Sequence, residues 1–69
     1  MEFVKFLEDI PSTNKRYLGK VYTQNSWLPC LLQYYGPYKD KGWDIEHLIY
    51  DENDCMLDPK DVIYLKEEA

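Results

Sequence analysis

Apolar residues fall at Phe3, Phe6, Leu7 and Ile10, the i, i+3, i+4, i+7 spacing of one helical face, with Val4 beside them. Pro11 stops the pattern, so the spacing predicts a short amphipathic helix within residues 1–11. A helix of about ten residues is marginal alone and must be held by packing. An extended N-terminal arm is the competing reading of the same residues. Beyond the polar cluster Ser12-Thr13-Asn14 the period changes. Residues 17–23 are rich in β-formers, Gln24-Asn25-Ser26 reads as a hairpin turn, and residues 27–35 read as the returning strand. Pro29 cannot donate to a ladder, which places the start of that strand at a sheet edge.

Residues 36–42 read as a loop bracketed by Gly36 and Gly42. The clearest strand follows: Trp43, Ile45, His47 and Ile49 alternate with Asp44, Glu46, Leu48 and Tyr50, giving one mainly apolar face and one mixed face. Asp51-Glu52-Asn53-Asp54 makes the next turn, and Cys55-Met56-Leu57 a short strand. Asp58-Pro59-Lys60-Asp61 reads as a single helical turn, with Asp58 as N-cap and Pro59 at the first position. Residues 62–65 form a final strand and residues 66–69 a solvated tail. The fold class expected is mainly β, a β-rich α+β domain. Its body is a small five-stranded antiparallel barrel or bent sheet over residues 16–66, preceded by the short N-terminal helix.

Gly42-Trp43 opening a strand, the turn at 51–54, and Leu57-Asp58-Pro59 leading into Val62-Ile63-Tyr64-Leu65 make a recognisable series, with sixteen residues from Trp43 to Pro59. Over residues 42–66 this resembles the Src-homology-3-like barrels. The resemblance implies a barrel fold and a peptide site that includes Trp43 and Pro59. Val62 stands where the peptide-binding members carry a tyrosine, and their Ala-Leu-Tyr-Asp-Tyr stretch is absent.

Size limits the chemistry. Sixty-nine residues make one domain, and a chain this short buries only about 60% of its unfolded surface. A deep substrate cleft would remove core it needs, which points away from an enzyme. At 45% hydrophobic residues the chain is too apolar for disorder. No run approaches the ~18 apolar residues of a membrane span. The N-terminus has neither the composition nor the cleavage site of a signal peptide, so the chain reads as a complete cytoplasmic protein. Cys30 and Cys55 form no CxxC pair and are expected as two half-buried thiols in a reducing compartment.

Metal and nucleophile motifs fail on spacing. A calcium loop starting at Asp51 would place Cys55, Met56 and Val62 where an oxygen ligand, a glycine and a glutamate belong. His47 with Cys30 and Cys55 matches no zinc pattern, and a hydrogen-bonded, half-buried histidine is the simpler expectation. No phosphate-binding loop is present, and no cofactor is expected.

Charge says more. From Asp44 to Ala69, nine acidic residues face only Lys60 and Lys66, a net of -7, whereas residues 1–43 carry +2. Two surfaces follow. One is an acidic rim of Asp51, Glu52, Asp54 and Asp58, suited to steering a basic partner. The other is an aromatic patch of Trp27, Tyr34, Tyr35 and Tyr38, with Trp43 nearby, of the residue types that dominate interfaces. The expectation is a non-catalytic protein-binding domain that occludes a basic, nucleic-acid-handling partner, in the manner of a phage or mobile-element inhibitor. A peptide-binding adaptor centred on Trp43, Pro59 and Tyr64 is the alternative, and a nucleotide-binding sponge using Tyr38, Lys39 and Lys41 is the third reading. Direct duplex binding is disfavoured by the charge. A homodimer is compatible with the exposed edge and surplus aromatics.

Overall fold

A computed structural model describes residues 2–66. Its strands are β1 (Glu2–Lys5), β2 (Lys15–Thr23), β3 (Ser26–Asp40), β4 (Trp43–Tyr50) and β5 (Val62–Lys66), which form a single sheet in the order β1-β5-β2-β3-β4. Every pairing is antiparallel. β1 and β4 lie at opposite edges and do not pair, so of the barrel and the bent sheet expected, the barrel is corrected to an unclosed sheet. β3 serves two ladders. Its first part pairs with β2 as far as Tyr34, and from Gln33 onward it pairs with β4.

The helix expected within residues 1–11 does not form. Glu2–Lys5 is a strand laid on β5, with Phe3 opposite Leu65 and Val4 opposite Tyr64, and only Phe6–Glu8 closes a single 3-10 turn. Of the apolar stripe, Phe6 alone is buried; Phe3, Leu7 and Ile10 stay exposed. A ladder on β5 satisfies the backbone of this segment, whereas a helix this short is marginal without packing to hold it.

Both β-hairpins turn in two residues. Gln24 and Asn25 take φ of 49° and 64° between the paired Thr23 and Ser26, the two positive values of a type I′ turn that suits the strand twist. At the other hairpin only Lys41 and Gly42 are unpaired, with Gly42 at φ 79°. The loop read over 36–42 is therefore mostly strand. Two register shifts flank Gly36, which at φ 88° pairs opposite Leu48, and they leave Tyr35 and Pro37 out of the ladder. Such bulges place residues that a regular ladder rejects.

One face of the sheet holds the core: Phe6, Leu32, Tyr34, Ile49, Val62 and Tyr64, backed by Val4, Tyr17, Cys30 and Leu57. The Phe6 ring meets Tyr34 edge-on at 4.9 Å and contacts His47 and Tyr64 at 5.5 and 6.3 Å. Polar tips are satisfied at the rim. Tyr64 donates to the Asp9 carbonyl (2.6 Å), Tyr17 donates to the Ser12 carbonyl (2.7 Å), and the Tyr34 hydroxyl shares a hydrogen bond with His47 Nδ1 (2.8 Å). The first two bonds fasten the connection between Phe6 and β2, and the third ties β3 to β4. Lys66, read from sequence as tail, ends β5 and pairs with Asp9; the remainder of that tail lies outside the described residues.

Burial raises the Tyr34 and Tyr64 hydroxyls above the usual tyrosine range, with Glu46 adding to the first and Asp9 to the second. The fold thus favours their neutral forms. Their contribution to stability is whole below about pH 10 and falls as the pH climbs through the raised values. An alkaline titration followed by tyrosinate absorbance and near-ultraviolet circular dichroism should show these two ionising only as the fold is lost. Their ionisation near pH 10 with the dichroism unchanged would contradict the packing.

Candidate binding groove

β3 and β4 turn Tyr35, Tyr38, Leu48 and Tyr50 to the face opposite the core. There they line an open trough of about 560 Å³ that ends at Asp54. Tyr35 and Tyr50 contact edge-on, ring centroids 5.8 Å apart. A second shallow cleft of about 240 Å³ continues from Tyr35, Tyr50 and Asp54 to Asp51, Glu52, Leu31, Gln33 and Arg16. The two share three residues and read as one groove, aromatic at one end and acidic at the other. The aromatic patch and the acidic rim, two competing surfaces in the sequence, meet here through Tyr35 and Asp54.

The acidic turn is built, not loose. Asp51 Oδ1 accepts hydrogen bonds from the backbone amides of Asn53 (2.8 Å) and Cys55 (2.9 Å), and the Asp54 amide donates to the Asp51 carbonyl (3.1 Å). A Tyr50–Met56 bridge and a bond from the Leu57 amide to the Ile49 carbonyl close its base. Asp51 is therefore the turn's own scaffold. The Glu52 carboxylate accepts from the Leu31 amide on β3, and Asp54, at φ 61°, fixes the far side of the turn. Glu52 and Asp54 are exposed. Among the described residues no cluster of metal-ligating side chains exists.

The other expected site residues disperse. Tyr34 is corrected outright: it is 2% exposed and sits in the core, because the β3 alternation that turns Tyr35 outward turns Tyr34 inward. Trp27 lies beyond the groove, stacked edge-on with Tyr22 at 5.1 Å, beside Lys5 and Lys60. Trp43 is 62% exposed at the β3–β4 hairpin, opposite Asp40. Asp58 accepts from the Lys60 amide (3.0 Å) and caps the 3-10 turn Pro59–Asp61, so its carboxylate is committed locally. Tyr64, proposed for an adaptor site, is buried.

Leu48, Tyr50, Leu31, Gln33 and Arg16 join the groove without being among the residues expected there. The signal for Leu48 and Tyr50 was present: they are the two apolar members of the mixed face of the Trp43–Tyr50 alternation. Nothing local marked Arg16, which reaches the groove by pairing opposite Gln33, whose Oε1 accepts from Arg16 Nε at 3.2 Å. Cys30 is no nucleophile by environment. Burial raises its thiol, and Glu52 and Asp51 raise it further, so it stays protonated against the core. The chain matches no family model, no curated protein and no solved structure.

Proposed function

We propose that this chain is a non-catalytic binding domain that holds a basic segment of another protein in the groove between Tyr38 and Glu52. The carrying observation is the junction at Tyr35, Tyr50 and Asp54, where aromatic rings and carboxylates line one trough. A guanidinium or ammonium there finds ring faces and carboxylates together, the combination that attracts cations to protein surfaces. The groove is shallow and open, which suits a side chain or an extended peptide more than a buried small molecule. Nucleic-acid-handling proteins are the class of partner that carries such basic segments most densely, and occupying one would block its nucleic-acid site.

The test is binding of a short peptide alternating arginine and threonine, against the same peptide with glutamate for arginine. The arginine peptide should bind, and binding should weaken as salt rises from about 50 to 300 mM. The double variant Glu52→Gln with Asp54→Asn, which keeps the hydrogen-bonding shapes, should bind at least about tenfold more weakly. Affinity indifferent to both changes would remove the basic partner from consideration.

A further inference from the structure

β3 is unequally covered along its length. From Gln33 onward its outer side is paired with β4, whereas residues 26–32 pair only with β2. Successive residues of a strand turn their N–H and C=O groups to alternate sides. The Leu31 amide points away from β2, since it donates to Glu52. Trp27 and Pro29 therefore face the same way, and Pro29 has no amide to leave unpaired. Residues 26–29 are exposed, so this edge is open to solvent. Glu52 occupies, with a carboxylate, the place a neighbouring strand's carbonyl would take. Leu31 and Gln33 lead directly from this edge into the groove.

We infer that the free edge of β3 receives an extended segment of a basic partner as an added strand, an arginine or lysine of that segment drawing Glu52 away from the Leu31 amide. The inference rests on the groove's proposed taste for basic segments. Charge decides the occupant. A second copy in parallel register would bring Asp51, Glu52 and Asp54 against the same carboxylates, and proline with charge on an edge strand is a device that blunts self-pairing. A basic segment brings the opposite sign. Its backbone carbonyl takes over the Leu31 amide, and the released carboxylate gains a charge-assisted partner.

The test is amide hydrogen exchange of the full chain, read by nuclear magnetic resonance, with and without the arginine–threonine peptide. Versions of that peptide N-methylated along one edge or the other complete the set. At saturation the Leu31 and Trp27 amides should exchange at least about tenfold more slowly. Methylation on one edge of the peptide should remove this protection and weaken binding, and methylation on the other edge should leave both intact. In Glu52→Ala the free protein's Leu31 amide should exchange faster than in the wild type, and protection in the complex should return only at the higher peptide concentration that its weaker binding requires. Binding that shifts Tyr35 and Tyr50 without protecting Leu31 and Trp27 would overturn strand addition and leave the basic groove standing. Protection that grows with protein concentration in the absence of peptide would give the edge to a second copy and overturn the inference. Absence of binding would overturn both readings.

Discussion

Phe6→Ala is expected to abolish cooperative folding. The ring is 1% exposed and packs against Tyr34, His47 and Tyr64, so its removal empties the middle of a core that, among the described residues, has six buried hydrophobic side chains. Truncating a buried phenylalanine costs about 3–5 kcal/mol, and a domain of this size rarely has more than about 3–5 kcal/mol in total. The two figures meet, which makes the variant unfolded or nearly so at room temperature. Urea unfolding followed by tyrosine fluorescence checks it, with Phe6→Leu as the companion that keeps most of the volume and loses about 1–2 kcal/mol. A Phe6→Ala midpoint close to that of the wild type would mean that the N-terminal turn does not plug the core.

Gly19→Ala is the second large effect, and its cause is crowding. Gly19 lies mid-sheet, paired with Cys30 on one side and Tyr64 on the other. A Cβ there would fall 2.5 Å from Leu32 Cδ1 and 2.6 Å from the Ile63 carbonyl oxygen. Leu32 can rotate, but the Ile63 oxygen is backbone within β5. The methyl must push β5 from β2, with an expected loss of about 3 kcal/mol, at the upper end of ordinary overpacking. Thermal melting should show the loss. Amide exchange should place the first opening at Val62 and Tyr64, the β5 residues opposite Val21 and Gly19. An unchanged melting temperature would mean that the β2–β5 contact is looser than described.

How much of this was legible in the sequence differs by element. The β2–β3 hairpin, the β4 alternation and the Asp58-capped turn are local patterns, and each forms where its residues indicated. At the N-terminus Phe3, Phe6, Leu7 and Ile10 satisfy a helical period, while the tertiary alternative, a ladder on β5, depends on a strand some sixty residues away. Gly36 and Pro37 signalled a loop, since nothing local shows that two bulges will carry them inside a strand. The site was half visible for the same reason. Alternation alone separates Tyr35 from Tyr34 and brings out Tyr50. The meeting of Tyr35 with Asp54, and the reach of Glu52 to Leu31, depend on where β4 leaves β3, which is a property of register and not of composition.

The groove as the binding surface is tested most directly by measuring the affinity of the arginine–threonine peptide for Tyr35→Ala and Trp43→Ala side by side. Both side chains are exposed, 46% and 62%, so the fold should survive either change. At least about a tenfold loss is expected for Tyr35→Ala, the size of an interface anchor, and wild-type affinity for Trp43→Ala. Loss in Trp43→Ala with Tyr35→Ala unaffected would move the binding surface to the β3–β4 hairpin and contradict the groove.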